Sequence, residues 1–129
     1  MKIIIHFVFI SLLIVLSGCK QQIPLEDQVI AIHDEVMPKM GQIHASIKSI
    51  KALKLESNSE IDSKVLDQVI LQLEKADDGM MEWMSAWNVP TEKVKKAEYL
   101  AKEMIRVTKV KKDILTSIAA ADSVLKNHK

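Results

Sequence analysis

The protein has 129 residues with 18 basic and 17 acidic side chains, so its net charge is close to zero. The charges alternate along the chain and only 4% of the residues are aromatic, which argues against a nucleic-acid-binding surface and predicts no nucleic acid partner. The single cysteine excludes an intramolecular disulfide bond. A chain of this length is enough for one domain whose core folds without a metal or cofactor.

The first 18 residues predict a cleaved secretory signal peptide. Lys2 provides the positive charge, and the segment from Ile3 to Leu16 is apolar except for His6 and Ser11. This segment is shorter than the roughly 20 residues that a transmembrane helix needs. Because polar residues follow it directly, we expect cleavage of this segment and not a permanent membrane span.

The cleavage site is predicted at Leu16-Ser17-Gly18-Cys19, which resembles the lipobox of bacterial lipoproteins. The resemblance implies that the Cys19 thiol is acylated, with palmitate as a typical chain, and that the peptide before it is removed. Two or three acyl chains, at about 0.8 kcal/mol per buried methylene, anchor a protein at a bilayer. The alternative is an unprocessed apolar N-terminus that carries an incidental cysteine.

Cleavage before Cys19 would divide the chain into a signal peptide (1–18), a lipidated linker (19–24) and one domain (25–129). Because Lys2 is the only charged residue that is removed, the mature chain would have 17 basic and 17 acidic side chains. No acidic residue directly follows Cys19, so the linker does not resemble retention signals of the inner membrane or surface-export signals. We therefore expect a location in the cell envelope, at the periplasmic face of the outer membrane.

The rest of the chain predicts an all-α fold. Alanine, leucine, methionine, glutamate, lysine and glutamine dominate, and no alternation of the kind found in strands persists. Turn residues divide it into helices at about 25–55, 60–87 and 91–126. Short connections make neighbouring helices antiparallel, which predicts an up-down-up three-helix bundle.

The first helix is predicted to begin after Pro24, with Glu26 and Asp27 in its first turn. Pro38 removes a backbone donor, so we expect a kink near residues 34–38. The apolar residues of this helix recur at helical spacing and form its predicted buried face: Val29, Ile32, Val36, Ile43, Ile47 and Ile50.

The second helix has the spacing of a capping box at Ser57 and Glu60, and Asn88 or Thr91 is expected to cap a third helix that begins with Glu92. The predicted buried face of the second helix consists of Ile61, Val65, Leu66, Val69, Leu73, Ala76, Met80, Met84 and Trp87. That of the third helix consists of Val94, Ala97, Ala101, Met104, Val107, Ile114, Ile118, Ala121 and Leu125.

Methionine and histidine side chains form one row on each of the first two helices. The helical period places His33, Met37, Met40 and His44 on one stripe, and Asp77, Met80, Met81 and Met84 on another. In an antiparallel hairpin that turns near residue 58, Met37 is level with Met80, His33 with Met84, and Met40 with Asp77. Thioether and imidazole donors are ligands of Cu(I), and a His/Met pair can also bind haem iron. The candidate metal ligands are His33, Met37, Met40, Met80 and Met84.

The competing interpretation of the methionines is structural. Methionine fills irregular gaps in helical cores, and a kink at Pro38 creates such gaps. The two histidines can equally be hydrated residues at the edge of the core, and Trp83 and Trp87 can be core or interface anchors. Metal binding and simple packing therefore both remain open.

No enzymatic activity is predicted. His33, Asp34 and Glu35 are adjacent in sequence, but neighbouring residues of a helix point about 100° apart and do not converge. The sequence has none of the serine, cysteine or glycine-rich motifs of known enzyme families.

Two segments, His33 to Gly41 and Asp77 to Met84, resemble a group of small uncharacterised lipoproteins of Bacteroidota that are labelled "viral A-type inclusion protein". The resemblance implies a helical fold and an envelope location, and it implies no activity. We expect a non-catalytic helical module that is anchored to the membrane and has an envelope protein as partner. The alternative is copper or haem binding between the first two helices.

Overall fold

A computed structural model describes residues 23–56 and 60–127. These ranges contain no β-strand and form four α-helices: α1 (Leu25–Val36), α2 (Met40–Glu56), α3 (Glu60–Ala86) and α4 (Lys93–Asn127). The predicted all-α class is confirmed. Within the described ranges, no helix combines the length and the apolar character that crossing a membrane requires. The predicted signal peptide, Cys19 and the capping residue Ser57 lie outside the described residues.

The predicted first helix is divided into α1 and α2 at Pro38. Residues Met37–Lys39 form a single 3-10 turn, and the N–H group of Met40 bonds to the carbonyl of Met37. Proline cannot donate a backbone hydrogen bond, so the chain tightens locally instead of continuing the α-helix. The buried face nevertheless continues through the turn, because Val29, Val36, Ile43 and Ile50 are all fully buried.

The core of α3 follows the prediction with three differences, at Val65, at Trp83 and at Ile70, which was not assigned to this face and is 7% exposed. Leu66, Leu73 and Met80 are fully buried, whereas Val65 is 44% exposed. Trp83, which was not assigned to this face, is only 2% exposed. The buried face is thus displaced slightly around the helix, which places the indole ring of Trp83 between the helices.

The predicted buried face of the first turns of α4 is wrong. Val94 is 67% exposed and Ala97 and Ala101 are also exposed, whereas Leu100 and Glu103 are buried. Alanine contributes little apolar area, so it gains little from burial compared with leucine. The leucine therefore determines which face of α4 turns inward. From Val107 to Ala121 the predicted and observed faces agree.

The first residue of α4 also differs from the prediction. The helix begins at Lys93, one residue after the predicted position, and the N–H group of Lys96 bonds to the carbonyl of Glu92 at 2.8 Å. The backbone N–H of Asn88 donates to the hydroxyl of Tyr99 at 2.8 Å. Tyr99 therefore binds the connection between α3 and α4 to the first turns of α4.

Ion pairs between helices show which residues lie side by side. Between α2 and α3, Lys51 pairs with Glu74 and Lys54 with Asp67, so the partner number falls as the residue number rises. Glu26 of α1 pairs with Lys96 of α4, and farther along both helices Glu35 pairs with Lys111. Exposed pairs of this kind contribute little stability, so the packed core holds the helices together.

The core residues among the described ranges all lie between Val29 and Leu125. They come from all four helices and form one cluster around the fully buried side chains Ile43, Leu73 and Ile114. A chain that begins at residue 20 contains this entire cluster. We therefore expect such a chain to fold without the first 19 residues.

Candidate functional site

The imidazole ring of His33 makes polar contacts through both of its nitrogens. Its Nδ1 atom lies 2.8 Å from Oδ1 of Asp34, and its Nε2 atom lies 3.4 Å from Sδ of Met84. A carboxylate accepts hydrogen bonds, so we assign the ring proton to Nδ1. The lone pair of Nε2 then faces the methionine sulfur, and two soft donor atoms from α1 and α3 lie next to each other.

The separation of these two atoms fits two ligands of one metal ion. A metal ion would lie about 2.0 Å from an imidazole nitrogen and about 2.3 Å from a sulfur ligand. With Nε2 and Sδ 3.4 Å apart, the angle between these two bonds is close to tetrahedral. The hydrogen bond from Nδ1 to Asp34 is the outer contact that usually fixes the ring of a metal-binding histidine. His33 and Met84 therefore have the arrangement that the sequence predicted for level positions of the two helices.

The other candidate ligands are packed in the core. Met80 is fully buried and Met40 is 6% exposed. Met37, in the 3-10 turn that follows α1, packs against the hydrophobic core cluster. In the described ranges, no group of three or more histidine, cysteine, aspartate and glutamate side chains could hold a metal ion. A metal site at this position would therefore depend on methionine sulfur.

The second histidine of the row has a different partner. Nε2 of His44 lies 3.0 Å from Oδ1 of Asp77, and the side chain of His44 is 63% exposed. Asp77 was predicted to be level with Met40, so the observed contact is one turn farther along α2. His44 thus belongs to the polar surface contacts between α2 and α3 and not to the His33 site.

A row of aromatic rings extends from His33 towards α4. The ring of His33 stacks on Trp83 with centroids 5.6 Å apart and an interplanar angle of 30°. Trp83 contacts Trp87 at 5.1 Å, and Trp87 contacts Tyr99 at 5.7 Å. The spacing of Trp83 and Trp87 on one helix was visible in the sequence, but their contacts with rings of α1 and α4 depend on how the helices pack. This row supports one side of the His33 ring and limits its rotation.

Comparison of the chain with protein-family models, with curated proteins and with solved structures found no match in any of the three.

Proposed function

We propose that this protein is a lipid-anchored lipoprotein of the bacterial cell envelope, whose helices form an up-down-up bundle that acts as a non-catalytic interaction or structural module. The observation that carries the proposal is the sequence Leu16-Ser17-Gly18-Cys19, which has the residue pattern of a lipobox after an apolar segment. Acylation would also remove the only free thiol of the chain, which would otherwise be reactive in an oxidising compartment.

The pairing of the helices supports the bundle. From Lys51 to Lys54 on α2, the paired residue on α3 changes from Glu74 to Asp67. Two helices whose paired residues run in opposite directions are antiparallel neighbours. From Glu26 to Glu35 on α1, the paired residue on α4 changes from Lys96 to Lys111, as expected when the two helices have the same direction. With α1 and α2 taken as one interrupted helix, these relations correspond to three helices in an up-down-up order.

The short linker would keep one end of the bundle close to the bilayer. The residues between Cys19 and the start of α1 at Leu25 span at most about 20 Å when fully extended. Glu26 at this end pairs with Lys96, so the first turns of α4 lie at the same end. The opposite end, where α2 and α3 meet, would face away from the membrane and be accessible to a partner in the envelope.

Metabolic labelling with an alkynyl palmitate in a Gram-negative host tests the anchor. We expect a labelled band of the processed chain that fractionates with the outer membrane, and loss of the label in Cys19→Ala. Ser17→Ala is the matched control, since it keeps a small residue beside the cleavage site and should be labelled like the wild type. An unlabelled wild-type chain that retains residues 1–18 would contradict the proposal.

A second candidate function, binding of Cu(I), is favoured by the contact between Nε2 of His33 and Sδ of Met84 at 3.4 Å. The axial ligands of a haem iron lie on opposite sides of the metal, which would separate the two atoms by about 4 Å or more. The shorter observed separation suits adjacent ligands of a single ion. Thioether sulfur selects Cu(I) among the common metals, so copper fits this pair better than haem.

A further inference from the structure

A row of uncharged side chains lies exposed along the first turns of α4. Val94 is 67% exposed and Ile105 is 73% exposed, and Ala97 and Ala101 between them are also exposed. The steps of three and four residues between these positions place them on one face of the helix. At about 100° per residue, this face is opposite to the buried side chain of Glu103.

Charged side chains border this apolar row on both sides. Thr108 continues the row, and its hydroxyl donates a hydrogen bond to the carbonyl of Met104 at 2.6 Å, so the threonine needs no partner outside the helix. Between residues 93 and 109, every exposed side chain outside the row is charged: Lys93, Lys95, Glu98, Lys102, Arg106 and Lys109. An apolar row between charged side chains is typical of a helix that lies in the interface of a bilayer.

The charge beside the row is too small to drive binding. Lys95, Arg106 and Lys109 pair with carboxylates one turn away on the same part of the chain. The other three of these charged side chains, two lysines and one glutamate, nearly cancel. Burial of the apolar row therefore has to provide the attraction, while the lysine side chains can extend their ammonium groups to the headgroups.

The row begins at the end of the bundle that the proposed anchor would hold. Glu26, in the first turn of α1, pairs with Lys96, and the linker between Cys19 and Leu25 spans at most about 20 Å. A tether of this length gives an effective concentration on the order of millimolar, so even a weak contact would be occupied. A stable interface with another protein takes about 800 Å² from each partner, which a row with two large side chains does not provide.

We propose that this face of α4 docks on the phospholipid bilayer, an inference that rests on the proposed lipid anchor. Val94 and Ile105 enter the apolar boundary below the headgroups, and the two alanines between them let the helix backbone approach the surface. Lys102 beside the row reaches the phosphates. The anchor and the row together then fix which side of the bundle faces the membrane, while the end where α2 and α3 meet stays accessible.

A fluorescent label in the row tests the contact. The chain from residue 20 lacks Cys19, so a single cysteine can be introduced by Ile105→Cys and labelled with nitrobenzoxadiazole. An N-terminal hexahistidine tag then holds the chain on vesicles of phosphatidylethanolamine and phosphatidylglycerol that contain a nickel-chelating lipid. We expect the emission to rise at least about twofold and to shift to shorter wavelength, because the label enters the apolar boundary.

Met81→Cys on α3 is the matched position for the label. Trp87 contacts Tyr99, so a count of six residues from this contact along each antiparallel helix places Met81 level with Ile105. Met81 is 53% exposed but does not belong to the row. A label there is equally far along the bundle from the tether and should keep its emission in water.

Negative charge placed in the row provides a second test. In the labelled Ile105→Cys chain, the pair Ala97→Glu/Ala101→Glu should abolish the rise in emission, because carboxylates do not enter the apolar boundary. The pair Ala45→Glu/Ala52→Glu makes the same change at exposed positions of α2 and should keep the rise. Circular dichroism confirms that each variant is folded.

Three outcomes would overturn the proposal. They are equal emission changes for the two label positions, equal losses in the two glutamate pairs, and an untethered dimer in sedimentation that Ala97→Glu/Ala101→Glu dissociates, since a second copy would then cover the row. Because the tag supplies the tether, a missing emission change refutes this contact alone. An unlabelled Cys19 in the palmitate experiment refutes the anchor alone.

Discussion

Nε2 of His33 lies 3.4 Å from Sδ of Met84, although 51 residues separate the two in sequence. The contact joins α1 to α3 at a part-buried position, and the Trp83 ring stacks on the imidazole beside it. An imidazole nitrogen and a thioether sulfur form at most a weak hydrogen bond with each other, because thioether sulfur is a weak acceptor. Their proximity is the observation behind the proposed Cu(I) site.

We expect the chain from residue 20 to bind one Cu(I) ion in a titration with a competing Cu(I) chelator. Met84→Leu keeps the side-chain volume but removes the sulfur, and should weaken binding by about tenfold or more. Met81→Leu makes the same change at a residue that is 53% exposed and outside this contact, so it should bind like the wild type. Copper affinity that is identical in the two variants would exclude Met84 as a ligand.

Substitution of Gly79 by alanine should stabilise the protein. Glycine inside a helix costs about 1 kcal/mol relative to alanine, and an added Cβ atom meets nothing within 4 Å at this position. We therefore expect the free energy of unfolding in urea to rise by up to about 1 kcal/mol. An added Cβ atom at Gly41 also meets nothing within 4 Å, but Gly41 is the second residue of α2, so Gly41→Ala should raise the free energy of unfolding by less. A loss of stability in both variants would show that these helices do not have the described backbone.

The pair formed by Glu103 and Arg106 predicts an asymmetric response to mutation. Glu103 is 3% exposed and one of its carboxylate oxygens, Oε2, has no partner among the described residues, whereas the Arg106 side chain is 43% exposed. Glu103→Leu removes the buried charge and should change stability little or increase it. Arg106→Leu leaves that charge without its cation and should cost about 1–3 kcal/mol. Urea unfolding of both variants measures the difference, and a larger loss in Glu103→Leu would contradict this account.

The row of Val29, Val36, Ile43 and Ile50 was predictable because seven residues are close to two helical turns. Strongly apolar side chains at this spacing can be buried on one face only, and all four are fully buried. A deviation near Pro38 was predictable too, since proline lacks the donor that a continuous helix needs, but the prediction was a kink within one helix and not the end of α1. Which way the chain would adjust at Pro38 depended on packing, because a kink and a 3-10 turn both satisfy the remaining backbone groups.

The sequence by itself determined the all-helical class and most of the buried face, because hydrophobic periodicity and proline act over one or two turns of helix. The tertiary structure decided which face of the first turns of α4 is buried. There, weakly apolar alanines compete with Leu100 for burial, and the buried Glu103 interrupts the apolar pattern. It also decided that Met40 and Met80 are buried in the core while Met84, which the sequence placed level with His33, contacts it, and that the Trp83 ring packs between His33 and Trp87. These features depend on the rotation and offset of one helix against another, which are fixed by the fit of many side chains at once and not by any local pattern.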